Sequence, residues 1–302
     1  MVQYINLQLI NNMTTRREFL QAGLFTAAAA TLSRYSVFAA EKPAMTLGMQ
    51  LWTLRKFDYL ERIRLTKEAG YDEIEISGGI SKQGEPGKRA VALNAEERKE
   101  MRNVLADNGV RAISLGGSPG TPEDFDFAKE FGLQFLQGEP PVDKLVEVSK
   151  RAAEYGIRFS LHNHAFDSRY WDYRETLKRV QDCSPALGIC PDTGHFIRSG
   201  FDPVEVIRAC KGRMVSIHLK DLNGVLHLKD VEEMEPAERK KLQGGFKDVA
   251  WGTGEGQVEA VLKELMSQGF NGPVILEYDT IYEDGNVADA KQCAEFFRKV
   301  VG

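Results

Sequence analysis

The chain is poor in cysteine: its four, Cys183, Cys190, Cys210 and Cys293, lie in the C-terminal half without paired spacing. That argues against a disulfide framework and a cysteine zinc cage. It leaves buried thiols or, in an oxidising compartment, one bridge between Cys183 and Cys190. Beyond residue 40 no apolar run is long enough to cross a bilayer, so no membrane partner is expected for that part. An excess of positive charge is missing as well. The formal net charge is −5, which speaks against nucleic acid as a partner. There are no low-complexity tracts, charge blocks or Ser/Gly linkers, hence no sign of a second folded unit or a solvated arm. No GxGxxG follows the first β-type run, which disfavours an open dinucleotide-binding sheet. Histidine is rare too, with five in the chain, and where four of them fall carries most of the functional argument.

The first forty residues stand apart. Thr15-Arg16-Arg17-Glu18-Phe19-Leu20-Gln21 is a twin-arginine pattern, Ala22 to Leu32 is alanine-rich and mildly apolar, and Val37-Phe38-Ala39 supplies small residues suited to cleavage before Ala40. The expectation is a signal over residues 1–39, one domain over residues 40–302, and a periplasmic or otherwise exported product. The signal holds Arg16, Arg17 and Arg34 against Glu18, a net +2, and removing it from the total of −5 leaves −7.

What is there is an alternation. β-type runs are expected at Thr46–Leu51, Glu73–Ser77, Val110–Leu115, Leu133–Gln137, Ile157–His162, Leu187–Asp192, Met214–Lys220 and Val274–Tyr278. Helical periodicity separates them, over Tyr59–Ala69, Ala95–Asn108, Pro122–Phe131, Val142–Tyr155, Tyr173–Cys183, Pro203–Cys210 and Val258–Gln268, and Val287–Val300 closes the chain. Glycine follows several of these helices, at Gly70, Gly109, Gly156 and Gly269, as a C-terminal cap. Eight strands alternating with eight helices predict a single-domain α/β protein, a closed parallel (β/α)8 barrel.

In such a barrel the chemistry gathers at the C-terminal ends of the strands. The stretch Leu187 to Asp221 is the most telling, because its two strands end in Asp-Thr-Gly-His and His-Leu-Lys-Asp. Parallel strands joined by a helix put both ends on one rim, so Asp192 and His218 are expected side by side. Read round the ring, strand ends offer Gln50 and Trp52, then Glu75 and Ser77, then Gln137 and Glu139. His162 and His164 follow with matching parity, then Asp192 with His195, His218 with Lys220, and Glu277 with Asp279. Two imidazoles and two carboxylates on consecutive strands, His162, Asp192, His218 and Glu277, suit a divalent ion of the Mn, Co, Fe or Zn type. Manganese is favoured. The run Asn223 to Gln257 is long for a strand-to-helix connection, holds a helical piece at Pro236 to Leu242 and then Trp251, and reads equally as a lid or as a solvated excursion.

The ordered set GMQLWTLR, DEIEIS, HNHAF, DTGHF, SIHLKD, GTGEGQV and VILEYD resembles the xylose isomerase-like sugar isomerase/epimerase barrels over Met45 to Gly302. The resemblance implies a divalent metal on His162, Asp192, His218 and Glu277, His195 close by, and Glu75 and Lys220 lining a sugar pocket. Gln50, Trp52 and Trp251 are further candidate substrate contacts. Family members usually carry glutamate where this chain has His162, and that glutamate and the one at position 277 work as opposed proton carriers. With His162 there, a one-base reaction fits better, Glu277 being the base and His164, His195 or Glu75 its partner acid. The functional expectation is a metal-dependent isomerase or epimerase acting on a non-phosphorylated sugar or keto-sugar. The alternatives are a lyase or hydrolase of keto-glycosides on the same site, or a non-catalytic sugar-binding barrel. The expected partner is a small sugar, and assembly into a homo-oligomer is compatible with the pattern.

Overall fold

Apolar and β-branched runs become strands here, and the capped amphipathic runs between them become helices. The computed structural model describes residues 45–77, 79–81 and 87–302. The expected twin-arginine signal lies outside the described residues. The first half comprises β1 (Thr46–Gln50), α1 (Tyr59–Glu68), β2 (Glu73–Ile76), α2 (Ala95–Asp107), β3 (Arg111–Leu115), α3 (Pro122–Phe131), β4 (Phe135–Gly138) and α4 (Leu145–Tyr155). Then come β5 (Arg158–His162), α5 (Tyr173–Arg179), β6 (Leu187–Cys190), α6 (Thr193–Arg198), α7 (Pro203–Ala209) and β7 (Ile217–Leu219). The chain ends with α8 (Leu228–Glu233), α9 (Pro236–Gln243), α10 (Val258–Ser267), β8 (Pro273–Leu276) and α11 (Val287–Val301).

The strands run parallel in the order β6-β5-β4-β3-β2-β1-β8-β7. Bridges from Ile189 to Met214 and from Asp192 to His218 join the two ends of that order, so the sheet curls into a barrel. The expected fold class is the one found, a single-domain (β/α)8 barrel. Its helices are started and stopped by local chemistry. Asn94 and Glu97 form a reciprocal capping box at the head of α2, Asp202 accepts from Val204 N at 2.7 Å at the head of α7, and Gly156 ends α4 in the left-handed region at φ 66°.

Strand parity sorts the side chains. Ile74, Leu136, Phe159, Leu161, Ile217 and Leu276 are buried in the large apolar cluster that the helices share. The alternate positions point into the barrel. Ile113, Phe135, Val215 and Ile275 form a separate small apolar cluster, from strands on opposite sides, that plugs the barrel interior. Above it the interior turns polar, with Ser160 Oγ 2.8 Å from Ser216 Oγ and then the glutamate, histidine and aspartate positions. A register shift after Ile74 sets Glu75 opposite Ser114, whose hydroxyl donates to Glu75 Oε2 at 2.8 Å. All four cysteines are free and buried, so the bridge between Cys183 and Cys190 is not formed.

The expected elements differ from the observed ones in two places that matter. Between the expected strand ending at Asp192 and the expected helix at Pro203 no element is predicted, yet Thr193–Arg198 forms α6, whose N-cap is Asp192. The excursion after β7 holds α8 as well as the expected helical piece, α9. Asp221 ties this excursion to the barrel. Its carboxylate accepts from the backbone N–H groups of Gly252 at 2.8 Å, Gly254 at 3.0 Å and Gly256 at 2.7 Å. A Cβ at Gly254 would lie 2.5 Å from Asp221 Oδ1 and 2.4 Å from Leu222 O, which is why the loop needs glycine there.

Candidate metal centre

The rim is assembled around one backbone joint. Asn163 Oδ1 accepts from Asp192 N at 2.8 Å, and His218 N donates to Pro191 O at 3.1 Å, so the ends of β5, β6 and β7 are fastened to each other. Asp192 then divides its carboxylate. Oδ1 caps α6 by accepting from His195 N at 2.9 Å, which turns Oδ2 towards the barrel axis. There Oδ2 lies 3.4 Å from His162 Nε2 and 3.8 Å from His218 Nδ1, and His218 Nδ1 lies 2.9 Å from Glu277 Oε2. One ligand atom from each of His162, Asp192, His218 and Glu277 falls within 4.8 Å of all the others.

These residues fit a divalent ion. For bonds of about 2.1 Å, adjacent ligand atoms stand about 3.0 Å apart and opposite ones about 4.2 Å in an octahedral shell, and the observed separations span that range. His162 Nε2 is buried without a hydrogen-bond partner, and Asp192 Oδ2 meets the Lys220 ammonium at 3.0 Å as an ion pair with no hydrogen bond aligned to it. The outward nitrogens of both histidines face carboxylates. His218 Nε2 is 2.9 Å from Glu75 Oε1, and His162 Nδ1 is 3.5 Å from Glu139 Oε1. A carboxylate behind each imidazole fixes the tautomer that leaves the inner nitrogen free to ligate. Glu139, His162 and His164 form a second converging set. Its carboxylate oxygen is already bonded to His164 Nδ1, so Glu139 serves there to orient both rings.

Charge favours the same reading. Burial alone would raise Glu277, but the Lys220 and His218 charges draw it down to about 2; Asp192 is likewise held well below its usual range, against its burial, by the Lys220 ammonium and by His162. Burial alone would neutralise His162, yet its contacts with Asp192 and Glu139 bring it to about 9. His195 is different. Burial dominates there and holds it near 3, a neutral imidazole whose Nδ1 has no partner.

A two-lobed cavity opens above the cluster. The inner lobe, about 890 Å³, is lined by Gln50, Trp52, Gln137, Glu139, His162 and Glu277; the outer lobe, about 940 Å³, lies towards α9; His164, His195 and Asp279 border both.

Residues 141–300 match the model of the xylose isomerase-like TIM barrel family. The chain belongs to that family. It is a family of sugar-modifying enzymes, with epimerases and dehydratases among its members, and this barrel is one of its enzymes. An inosose dehydratase of Clostridium perfringens is 26% identical over 213 residues, covering 67% of this chain and 68% of that protein. The L-ribulose-5-phosphate 3-epimerase UlaE of Shigella flexneri is 22% identical over 272 residues, covering 78% and 87%. A xylose isomerase-like barrel of Mycobacterium smegmatis, solved in complex with magnesium, superposes with a TM-score of 0.66 over 86% of this chain and 97% of that one. At 14% identity that likeness is one of fold.

Within this family member the candidate site residues separate. Gln50, Trp52, His164 and His195 line the cavity with His162 and Glu277 of the cluster, while Asp192 and His218 are fully buried behind them. Glu75 does not. It is fully buried beneath His218 and takes hydrogen bonds from Gln50 Nε2 at 2.7 Å and Ser114, so it supports the cluster instead of exchanging protons with a substrate. Lys220 is also fully buried, its ammonium within 3.0 Å of Asp192, Glu277 and Asp279, and it has no surface to offer a sugar. Trp251 is a core residue. It is 2% exposed, with Nε1 donating to Leu219 O at 3.2 Å, and it lies away from both lobes. Three residues without an expected role prove to matter to the geometry: Glu139, Asn163 and Arg198, which ion-pairs with Asp279 below the outer lobe. The matching parity of Gln137 and Glu139 was the available signal for the first; nothing local marks the others.

Proposed function

We propose that this enzyme removes a proton next to the carbonyl of a non-phosphorylated sugar-like ketone and expels a substituent from the following carbon, as a divalent-metal-dependent lyase. The observation that carries the reading is the asymmetry of the cluster. Of its two carboxylates, Asp192 has no exposed surface, whereas Glu277 opens onto the inner lobe. The position that would hold a second, opposed carboxylate is taken by His162. Epimerisation needs a proton carrier on each face of one carbon; elimination needs one base and a group to protonate the departing oxygen.

A bound Mn²⁺, Fe²⁺, Co²⁺ or Zn²⁺, manganese being favoured by the mix of imidazole and carboxylate donors, would polarise the carbonyl and acidify its neighbouring hydrogen. Glu277 takes that hydrogen at its free oxygen. His164 pairs with Glu139 through Nδ1, so Nε2 is left for the cavity. In its imidazolium form, charge-paired with the Glu139 carboxylate, the ring would supply the Nε2 proton to the leaving oxygen and return to the neutral Nδ1–H tautomer. His195, neutral in its buried setting, borders the same space and orients hydroxyls. The substrate ring is proposed without a phosphate in the inner lobe, where Arg89 ion-pairs with Asp124; the other cations of the cavity, Arg55, Arg198, Lys240 and Lys247, line the outer lobe. The similarity to inosose dehydratases over two thirds of both chains supports loss of a β-substituent from a cyclic ketone.

The test is incubation of metal-loaded enzyme with keto-polyols and keto-glycosides in deuterium oxide. Loss of the β-substituent with formation of an enone supports the lyase. Exchange of the α-hydrogen with inversion and no release makes it an epimerase. Binding with neither leaves a sugar-binding barrel. We also propose that residues 1–39 direct twin-arginine export. Replacing Arg16 and Arg17 together by lysine should trap uncleaved precursor in the cytoplasm, and normal processing would refute it.

A further inference from the structure

The excursion after β7 brings positive charge to the cavity of a chain whose formal net charge is −5. The outer lobe is lined by Arg55, Arg198, Lys240 and Lys247 against Asp167 and Asp279. Both carboxylates are already answered. Asp279 meets Lys220 at 2.9 Å and pairs with Arg198, which also lies 3.6 Å from Asp248. Asp167 lies 3.7 Å from Arg239. Arg55 spends its guanidinium on the carbonyl oxygens of Trp52 at 2.9 Å, Tyr278 at 2.8 Å, and Asp279. Among the described residues no carboxylate ion-pairs with Arg55, Lys240 or Lys247, so the lobe's unmatched charge is positive. The two lysines sit on tethered backbone. Lys247 N donates to Asn223 Oδ1 at 2.8 Å and Asn223 N donates to Lys247 O at 3.1 Å, while the next residue, Asp248, accepts from Thr280 N at 2.8 Å. Lys240 follows Arg239 in α9, whose guanidinium stacks 4.2 Å from the ring centre of Phe166. Two lining side chains also carry unused groups: Arg198 Nε and Ser168 Oγ are buried without a hydrogen-bond partner.

Resting on the lyase reading above, we infer that the substrate's ketone ring carries a carboxylate, and that this anion lies in the outer lobe against Lys240, Lys247 and Arg55. A neutral polyol gives these cations nothing to pair with, whereas the inner lobe already offers its hydroxyls Gln50, Ser77, Gln137 and Glu139. The inner lobe then holds the reacting carbons, and the outer lobe reads the charge and fixes which way round the ring enters. The carboxylate is a retained group, not the one expelled, and takes no part in bond making. A phosphate ester is the rival anion, and the chain is poorly furnished for it. The glycine-loop N–H groups that could cradle a phosphate, those of Gly252, Gly254 and Gly256, are taken by Asp221. Both lobe arginines are committed to carbonyl or carboxylate oxygens, which removes bidentate recognition. What remains free is a pair of lysines, point charges that suit a singly charged group.

Glucuronate, glucose and glucose 6-phosphate share a ring, differ at one arm and bind without turnover. They are titrated calorimetrically into full-length, metal-loaded parent and into Lys240→Gln, Lys247→Gln and the double variant. Both lysines are exposed, so the fold should be untouched. Glucuronate should bind the parent about tenfold more tightly than glucose, and each single variant should lose about two- to fivefold of that, with glucose unchanged. Added salt should narrow the gap. Equal affinities for glucuronate and glucose, or a gap that survives removal of both lysines, would overturn the subsite. Tighter binding of glucose 6-phosphate than of glucuronate, lost in the double variant, would overturn the carboxylate and make the lobe a phosphate site. The lyase reading is measured separately, with 3-keto-glucose and 3-keto-glucuronate in deuterium oxide. Loss of a β-substituent with no preference for the acid keeps the lyase and sinks the subsite. Preference for the acid with no α-hydrogen exchange on either ketone keeps the anion subsite and sinks the lyase.

Discussion

Glu75→Gln isolates the support beneath the cluster from the cluster itself. Glu75 Oε1 accepts from both Gln50 Nε2 at 2.7 Å and His218 Nε2 at 2.9 Å, while Oε2 accepts from Ser114 Oγ at 2.8 Å. A glutamine amide oxygen can keep both bonds of Oε1. Its NH₂ then faces a serine hydroxyl, which can turn round and accept. The fold should therefore survive, with a midpoint change worth no more than about 1 kcal/mol, the net value of one neutral hydrogen bond. What is lost is the negative charge behind His218, which makes Nδ1 a better donor to a cation. Second-sphere changes of this kind cost about 10–100-fold in metal affinity, or about 1.4–2.7 kcal/mol. The assay is competition with a chromophoric chelator, run beside thermal unfolding with and without metal. The metal-dependent part of the midpoint shift should shrink in step with affinity. Glu75→Ala is the contrasting control. It strands Gln50, Ser114 and His218 at about 1–3 kcal/mol per buried unsatisfied group and should destabilise the barrel outright. An unchanged metal affinity in a folded Glu75→Gln protein would refute the assignment of Nδ1 as the ligating nitrogen of His218.

Three other outcomes follow from the site. Glu277→Gln keeps the shape and one ligand oxygen and should lower kcat by about 10²–10⁴ with a smaller change in KM, measured by single-turnover kinetics; near-normal turnover would leave Glu277 a ligand only. With EDTA present, His162 at about 9 lies above the ordinary imidazole value, so its contribution to stability is full below about 6.5 and is lost as pH rises through 9. A metal must displace that proton, so its apparent affinity should rise with pH up to about 9, with proton release visible by calorimetry in buffers of different ionisation enthalpy. Trp251→Phe deletes the donor to Leu219 O and some core volume, and should cost about 1–3 kcal/mol of stability by denaturant unfolding while leaving kcat/KM untouched.

The rim was legible in the chain because strand parity is a hard constraint. His162 and His164 share a face at the end of β5, and the parallel β6–β7 crossover had to bring Asp192 to His218, as the bridge between them records. Depth was not legible. Parity says that Glu75 points inward, but only the neighbours from β1, β3 and β7 reveal that it sits below the histidine and not beside a substrate. Trp251 misled for a related reason. A tryptophan in a long polar excursion reads as a surface residue, and nothing nearby in sequence shows that the Asp221 carboxylate reels that loop back onto the barrel, where the indole packs into the core.

The burial of Lys220 and the unanticipated α6 are one structural event. Thr193 opens α6, and its hydroxyl both accepts from Lys220 N at 2.9 Å and lies 3.2 Å from Lys220 O, so the helix starts directly over the end of β7. Gly194 is the residue that passes closest; a Cβ there would stand 2.7 Å from Lys220 Cδ and 2.9 Å from Cβ. The helix therefore roofs the lysine, and the Asp-Thr-Gly-His sequence is what makes the roof thin enough: an aspartate to cap, a threonine to clasp, a glycine to clear the side chain. Thus confined, the ammonium can reach only carboxylates, and it meets three of them. Its charge offsets part of the repulsion among Asp192, Glu277 and Asp279, which would otherwise oppose their convergence in a buried space. Arg198 pairs with the outermost of the three, Asp279, so Asp192 and Glu277 share the one ammonium next to His162, and a divalent ion is a species whose charge and coordination suit that pair of carboxylates and the imidazole together.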